Sequence, residues 1–245
     1  TKFSYDEILD LPEVMAKETG KKFIVCIDEF QNINEYEDPL GFQRKLRSHW
    51  QKHTSVGYCL YGSKRHMLLN IFNNYEMPFY KFGDVLFLQK IKEKDWTEFI
   101  SKRFSDTKKS ISDNLCANIV ELTKGHPYYT QQLSQQVWLR TAKNCSQQII
   151  EEAFQGLVGQ LSLLFTNILD SLTPKQISFL IAVANQESNF SSKAVLTKYQ
   201  LGTSANIKNL KKATLEKDLI DILPEEKIEM QDPIFEYWLK NIYSK

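Results

Sequence analysis

Two adjacent carboxylates, Asp28 and Glu29, follow an apolar run and are the side chains best placed to do chemistry. The run Phe23–Ile27 is continuous and rich in β-branched residues, as is typical of a parallel strand covered on both faces. Ligands of open α/β sheets collect beyond the carboxyl ends of the strands. Asp28 could hold the Mg²⁺ of a bound nucleotide through water, and Glu29 could orient or deprotonate the attacking water. Acids that merely cap the next loop would give the same pattern, so both interpretations stay open.

A second polar strand end follows one helix and one strand later. Gly62-Ser63 closes the apolar run Gly57–Tyr61, and the Ser63 hydroxyl could hydrogen-bond a phosphate oxygen or the attacking water. Arg65 and Arg103 are candidates for a phosphate-sensing charge, because the guanidinium fork suits phosphate oxygens. The ordinary alternative for both arginines is a solvated surface position.

Three motifs in this order resemble the archaeal-type ATPase family, which belongs to the STAND branch of the AAA+ P-loop NTPases. They are Phe-Ile-Val-Cys-Ile-Asp-Glu-Phe-Gln-Asn-Ile at 23–33, Tyr-Gly-Ser-Lys-Arg-His-Met at 61–67 and Gly-His-Pro-Tyr-Tyr at 125–129. The resemblance covers essentially the whole chain. It implies ATP and Mg²⁺ as cofactors, with Asp28 and Glu29 at the Walker B position and Ser63 at the sensor 1 position.

The same resemblance assigns Gly125, His126 and Pro127 to a lid motif whose proline packs near the adenine of bound nucleotide. A simpler interpretation is a helix that stops at a glycine, followed by a proline that begins the next helix. The two interpretations are compatible. His126 is expected to cap or contact the lid rather than to catalyse, because no nucleophile accompanies it in a recognisable pattern.

No phosphate-binding sequence G-x-x-x-x-G-K-[ST] occurs in the chain. Its one Gly-Lys pair, Gly20-Lys21, lacks the preceding glycine and enters a strand rather than leaving one. The chain also starts on a helical pattern at Thr1 rather than on Met, so we expect it to be part of a longer protein. We expect this part alone to bind ATP poorly, even if the full protein hydrolyses it.

The order of elements predicts an α/β segment followed by an all-α segment and a winged helix. The expected domains are a partial parallel-sheet P-loop NTPase core over 1–90, a helical lid over 91–170 and a winged-helix domain over 171–245. The predicted strands of the core are Phe23–Ile27, Gly57–Tyr61 and Asp84–Leu88, and its helices are Ser4–Thr19, Pro39–Lys52 and Lys64–Phe72. The predicted lid helices are Asp95–Phe104, Ile111–Thr123 and Tyr128–Thr141, followed by one or two more over Ser146–Leu169. The predicted winged helix has helices Gln176–Ala184, Ser192–Tyr199 and Ser204–Lys217 and a hairpin of Leu219–Ile222 and Lys227–Met230.

The third winged-helix helix could enter a DNA major groove through Lys208, Lys211 and Lys212. A solvated lysine face in a module that contacts proteins is the alternative. Glu225 and Glu226 in the hairpin would repel phosphate, which offsets the attraction of the lysines. The sequence leaves the two partners equally open.

The amino-acid composition excludes several classes of protein. The chain is 42% apolar and 25% charged with a formal net charge of +1, which excludes a disordered tail and a globally basic nucleic-acid binder. The four cysteines are far apart; Cys26 and Cys59 are expected to be buried thiols, which favours a reducing cytoplasmic setting. No apolar stretch is long enough to predict a membrane span.

The leading hypothesis is therefore an ATP-binding and ATP-hydrolysing switch of the AAA+/STAND kind that binds ATP or ADP and could form a homo-oligomer. The alternative is a non-enzymatic regulatory module that binds DNA or protein through its winged helix.

Overall fold

The computed structural model describes residues 4–223 and 226–244. The chain divides into two compact units, Thr1–Leu88 and Gln89–Lys245.

The first unit is built on two parallel strands with helices on one face. In chain order its elements are α1 (Tyr5–Thr19), β1 (Phe23–Ile27), a 3₁₀ helix (Phe30–Glu35), α2 (Pro39–Trp50), β2 (Val56–Leu60) and α3 (Arg65–Asn73). The strands pair in a register that runs from Phe23 opposite Val56 to Ile27 opposite Leu60. Ser4 begins α1 with a capping box to Glu7, and Gly20 ends it in a left-handed conformation with φ of 65°.

An aromatic core lies against one face of this sheet. Its fully buried members include Ile71 and Phe79, and Phe79 meets Phe30 edge to face with ring centroids 5.5 Å apart. Ile27, Tyr58 and Leu60 pack against this cluster from the sheet. The 3₁₀ helix, α2 and α3 therefore cover the side of the strands that carries these residues.

The opposite face of the sheet is open, which corrects the prediction of strands covered on both faces. Ile24 is 76% exposed, and Cys26 and Cys59 are exposed rather than buried. The reason is the strict alternation of side chains along a strand: the helices that pack on the described sheet contact only one of the two sets. The expectation that both thiols are buried is wrong for the same reason.

The predicted third strand over Asp84–Leu88 is also wrong. This segment has no regular secondary structure, and Leu86 and Leu88 are 86% and 96% exposed. A strand exists only with a hydrogen-bonded neighbour, and within the described residues β1 and β2 pair only with each other. The apolar composition of Asp84–Leu88 favours a strand, but no neighbouring strand among the described residues pairs with this segment.

The described residues of the second unit form helices and one short hairpin. Its elements are α4 (Glu93–Ser105), α5 (Asp113–Leu122), α6 (Pro127–Arg140), α7 (Gln147–Asp170), α8 (Pro174–Ala184), α9 (Lys193–Lys198), α10 (Ser204–Glu216), β3 (Ile220–Ile222), β4 (Ile228–Met230), α11 (Pro233–Trp238) and a π-helical turn (Leu239–Tyr243). The strands β3 and β4 are antiparallel. One continuous cluster of buried residues extends from Trp96 to Leu239, so the helices of 91–170 and the winged-helix segment share a core.

A buried carboxylate, Glu13, joins α1 to the start of β2. Its Oε1 accepts hydrogen bonds from the Thr54 amide (3.0 Å) and hydroxyl (3.1 Å), and its Oε2 accepts one from the Ser55 amide (3.0 Å). The Thr54 amide is the largest of the influences that lower the pKa of Glu13 from its ordinary 4.5 to about 2. The ionised side chain therefore fixes the register at which the chain enters β2.

We expect Glu13→Gln to lower the urea midpoint at pH 7, because an amide cannot accept both backbone hydrogen bonds and keep its own donors paired. The native pKa lies below the unfolded one, so the contribution of Glu13 is complete above pH 4.5 and is lost as the pH falls towards about 2. Urea unfolding followed by circular dichroism should show a flatter pH dependence in that window for Glu13→Gln. Glu18→Gln, an exposed change on the same helix, is the matched control. An unchanged midpoint and pH profile in Glu13→Gln would contradict this role.

Candidate functional site

The carboxyl ends of β1 and β2 are joined by two backbone hydrogen bonds beyond the strands. The Tyr61 amide donates to the Ile27 carbonyl oxygen at 3.1 Å, and the Phe30 amide donates to the Tyr61 carbonyl oxygen at 3.0 Å. Residues 28–29 are therefore held beside residues 61–63. The structure brings together the two strand ends that the sequence pointed to separately.

Glu29 has an unusual backbone at this junction. Its φ is 48°, in the left-handed region that costs free energy for a residue with a Cβ. The Glu29 amide donates to Oδ1 of Asp28 at 2.8 Å, and Glu29 is the cap from which the 3₁₀ helix begins. This conformation turns the chain sharply out of β1 and points Glu29 differently from Asp28.

The Glu29 carboxylate is held by two side-chain donors. Ser63 Oγ donates to Oε2 at 3.1 Å, and Gln31 Nε2 donates to the same oxygen. The Gln31 hydrogen bond is the largest of the influences that lower the pKa of Glu29, with Ser63 adding to it. Glu29 is thus an ionised carboxylate at neutral pH, better suited to orienting a water than to removing a proton from it. Its other oxygen, Oε1, is the one that could receive such a water.

Gln31 is the site residue that sequence reasoning missed. It is fully buried, and its Oε1 has no hydrogen-bond partner within the described structure. Its position two residues after Glu29, in a segment otherwise apolar at 30 and 33, was the signal that could have identified it. Gly62 makes room for it: a Cβ at Gly62 would clash with the Gln31 side-chain oxygen and come within 3.3 Å of the Glu29 Cα.

Asp28 lies on the open face of the sheet and is exposed. Its charge is the first cause of the raised pKa of Tyr61, which places the phenol and the carboxylate near each other. An exposed carboxylate suits a hydrated Mg²⁺ ion, which keeps most of its waters. Within the described ranges, no group of three or more Asp, Glu, His or Cys side chains is arranged to hold a metal ion.

The two arginine candidates have other contacts. The Arg65 guanidinium lies over the Phe87 ring, 5.1 Å from its centroid, at the start of α3. Arg103 lies over Phe99 at 5.1 Å and forms a 3.8 Å ion pair with Asp106. Arg65 belongs to the same unit as Glu29 and Ser63, and Arg103 belongs to the other.

The Gly125-His126-Pro127 segment forms the turn between α5 and α6. Gly125 has a φ of 66°, and its amide donates to the Val120 carbonyl oxygen at 2.8 Å, which ends α5. Pro127 occupies the first position of α6. Nδ1 of His126 is buried without a hydrogen-bond partner among the described residues, and burial lowers the pKa of His126, so the ring is neutral at pH 7.

This turn is bonded to the last helix of the winged-helix segment. Lys124 Nζ donates to both oxygens of Glu236 at 2.6 and 2.7 Å, and the Tyr129 hydroxyl donates to Oδ2 of Asp232 at 2.5 Å. Tyr129 and Glu236 are buried. We call these three hydrogen bonds the turn–α11 clasp. Sequence reasoning missed it, because partners separated by 112 and 103 residues leave no spacing pattern.

The candidate partner-binding lysines lie on α10. Lys208 and Lys212 are exposed and Lys211 is half-buried. Lys212 lies 3.8 Å from Glu216, a loose pair that leaves its charge accessible. Glu226 has a φ of 58° in the hairpin, and Glu225 lies outside the described residues.

Comparisons with known proteins support the fold. A model of a probable winged helix domain matches residues 163–241. The structure is similar to the Walker-type ATPase PABY2304 of Pyrococcus abyssi, with a TM-score of 0.73 and 18% identity, covering 97% of this chain and 68% of that one. Two mutants of RuvB from Thermotoga maritima match with TM-scores of 0.43 and identities of 14% and 12%, covering 98% and 96% of this chain and 76% and 84% of theirs.

The predicted fold class is confirmed by the first two of these similarities: an ATPase-type sheet with helices, followed by a C-terminal winged helix. The search of curated proteins gave no match. Among residues 4–223 and 226–244, no helix combines the length and the apolar composition that a membrane crossing requires.

We expect Gly62→Ala to destabilise the chain by about 1–3 kcal/mol, because the new methyl group displaces the buried Gln31 amide from Glu29. Gly83→Ala is the matched control, since a Cβ there would meet no atom within 4 Å. In Gln31→Ala the same glycine substitution should cost much less, so urea unfolding of the four variants forms a double-mutant cycle. Additive costs for Gly62→Ala and Gln31→Ala would show that the two residues do not interact in this way.

Proposed function

We propose that this chain is part of a nucleotide-dependent switch of the AAA+/STAND kind that binds ATP with Mg²⁺ and hydrolyses it. The observation that carries the proposal is the Glu29 carboxylate, held by Ser63 and Gln31 at the carboxyl ends of two parallel strands. A strained backbone and a buried glutamine are unlike the features of an acid that only caps a loop. The similarity to the fold of a Walker-type ATPase also supports a nucleotide site at these strand ends.

Each residue of the site has a distinct task in the proposal. Asp28, exposed at the strand end, would hold Mg²⁺ through water. Glu29, ionised and fixed through Oε2, orients the attacking water with Oε1, and Ser63 positions both Glu29 and a phosphate oxygen. The bound nucleotide and its Mg²⁺ would supply the phosphoryl group and the positive charge that stabilises its transfer.

The phosphate cradle has to come from a segment outside this sequence. The residues at the strand ends fit the metal and water side of a nucleotide site, but the chain has no glycine-rich loop whose amides could surround phosphates. A glycine-rich loop ending in Lys-Ser or Lys-Thr elsewhere in the full-length protein is therefore part of the proposal. Its absence there would favour the non-enzymatic alternative, in which the two acids are vestigial.

The turn–α11 clasp supports a switch rather than a simple hydrolase. If the Gly125-His126-Pro127 turn contacts nucleotide, any displacement of the turn would pull on α11 through Lys124 and Tyr129. A ligand shifts an equilibrium only through contacts that differ between two states, and this turn would supply such contacts.

The free cysteines of the chain favour a reducing compartment such as the cytoplasm.

We expect Glu29→Gln in the full-length protein to retain ATP binding and to slow phosphate release at least about 100-fold, because the amide orients water poorly. Fluorescent-nucleotide binding and phosphate release measure the two properties separately. Glu35→Gln, at the exposed end of the same 3₁₀ helix, should change neither. Unchanged turnover in Glu29→Gln would rule out the assigned role.

A second candidate function is DNA binding through α10, which the exposed charges of Lys208 and Lys212 favour. The two lysines are one helical turn apart on the exposed face of α10. This is the third helix of the winged-helix segment, and in winged-helix proteins the third helix commonly enters the DNA major groove. A protein partner on the same surface is the competing possibility. DNA binding should weaken more steeply with salt than protein binding, since contacts to phosphates release counterions.

For DNA contact we expect Lys208→Glu/Lys212→Glu to weaken binding and to reduce the slope of log affinity against log salt by about two, one for each phosphate that the variant no longer neutralises. Fluorescence anisotropy with duplex DNA at several salt concentrations measures this slope. Lys94→Glu/Lys102→Glu on α4 changes the charge equally and should leave the slope unchanged. Binding without salt dependence, or equal weakening in both double variants, would contradict DNA contact through α10.

A further inference from the structure

A row of histidine and carboxylate side chains joins α1 to α2 in the first unit. His49 of α2 lies between two carboxylates of α1: its Nδ1 is 2.7 Å from Oδ1 of Asp10, and its Nε2 is 3.2 Å from Oδ1 of Asp6. The two aspartates are one helical turn apart, so they lie on the same face of α1. His49 therefore has a carboxylate oxygen at each of its ring nitrogens.

Both carboxylates of this row are ionised at neutral pH. A hydrogen bond from His49 is the largest of the influences that lower the pKa of Asp10. A hydrogen bond from Lys45, whose Nζ lies 2.9 Å from Oδ1 of Asp6, is the largest of those that lower the pKa of Asp6. An ionised carboxylate can only accept hydrogen bonds. Both contacts of His49 are therefore hydrogen bonds only when each ring nitrogen carries a proton, which is the charged imidazolium form.

The neighbouring His53 keeps its partners without a charge. Its Nε2 is 3.1 Å from the same oxygen of Asp10, and its Nδ1 is 2.7 Å from the Tyr58 hydroxyl. A hydroxyl can donate as well as accept, so neutral His53 can accept from Tyr58 and donate to Asp10. Burial is the first of the causes that raise the pKa of Tyr58 to about 12, which keeps the phenol proton in place. A rise in pH therefore removes a contact of His49 and none of His53.

We propose that His49 is a pH-sensitive latch: its protonated ring binds α1 to α2, and loss of one ring proton releases the first turn of α1. The neutral ring would direct a lone pair at one of the two carboxylates, so that contact would change from attraction to repulsion. The latch needs no open surface, because both ring nitrogens have partners within the described residues. It is separate from the proposed nucleotide chemistry and does not depend on it.

The contact to Asp6 is the one that the neutral ring gives up. It is the longer of the two, and the side chain of Asp6 is 62% exposed against 47% for Asp10, so water replaces the histidine there more readily. Asp10 also keeps the hydrogen bond from His53. Release therefore begins at the first turn of α1, where Asp6 lies.

His49 is the group of this row whose charge decides the contact between about pH 6 and 8. The folded chain favours its charged form, so the contribution of the latch is complete below about pH 6.5, the ordinary pKa of a histidine, and is lost as the pH rises further. The aspartates of the row and Glu13 titrate below this range, and the Tyr58 phenol titrates above it, as lysines such as Lys45 ordinarily do. His53 keeps both partners in either form, because its Nδ1–H can donate to the Tyr58 hydroxyl oxygen.

The test measures hydrogen–deuterium exchange of the α1 amides in the 245-residue chain at pH 6 and at pH 8, corrected for the intrinsic exchange rates. Protection of α1 should be about threefold lower at pH 8, since one partly exposed charged contact is lost. Nitrogen NMR of labelled histidine, with the four histidines assigned by substitution, reads the ring protons directly. Both ring nitrogens of His49 should still carry a proton at pH 7, where an unperturbed histidine has largely lost one.

Asp6→Asn distinguishes the latch from a merely structural contact. The new amide oxygen can still accept from Lys45 while its NH₂ group donates to Nε2 of the neutral ring, so protection should no longer depend on pH. His49→Gln, which cannot titrate, should also remove the pH dependence. His53→Gln should lower protection equally at both pH values, and His66→Gln is the control that should behave like the parent chain.

Circular dichroism of each variant shows that the fold is retained. Protection of the parent chain that does not change with pH would overturn the proposal. A pH dependence that persists in Asp6→Asn, or a single ring proton on His49 at pH 7, would overturn it as well.

Discussion

Two backbone hydrogen bonds, from Tyr61 to Ile27 and from Phe30 to Tyr61, hold the candidate site together. They extend the pairing of β1 and β2 by one step past the last strand residues, at the point where the chain of β1 must already turn away. Asp28 and Glu29 then have only one position available, next to Gly62 and Ser63. The chemistry proposed for these residues depends on that extension of the sheet.

The site also concentrates features that a stable fold usually avoids. Glu29 is left-handed without being a glycine, and Gln31 is buried with an oxygen that lacks a partner within the described residues. Position 62 has no room for a Cβ, because the Gln31 side-chain amide occupies that space. Departures from local rules that cluster at one location are expected at functional positions, where geometry outweighs stability.

The sequence predicted what is encoded locally. The Asp28-Glu29 strand end, the strand before Ser63 and the Gly125–Pro127 helix junction all follow from short patterns, and each has a local physical cause. The failures concern partners distant in sequence. A strand over Asp84–Leu88 and a covered face at Cys26 and Cys59 both required neighbours that composition cannot specify, and the Lys124–Glu236 bond leaves no trace in spacing.

The continuous core of the second unit bears on how such a chain could evolve. α7 runs unbroken over 24 residues, from Gln147 to Asp170, and the match to a probable winged helix domain begins within it, at residue 163. Phe154 and Phe165 of α7 meet Tyr237 and Phe235, with ring centroids 4.8 and 5.1 Å apart. A recombination that exchanged the winged helix at its apparent boundary would therefore cut one helix and leave these aromatic faces without their partners. A change of this module should therefore proceed by substitutions on its surface rather than by exchange of the whole module.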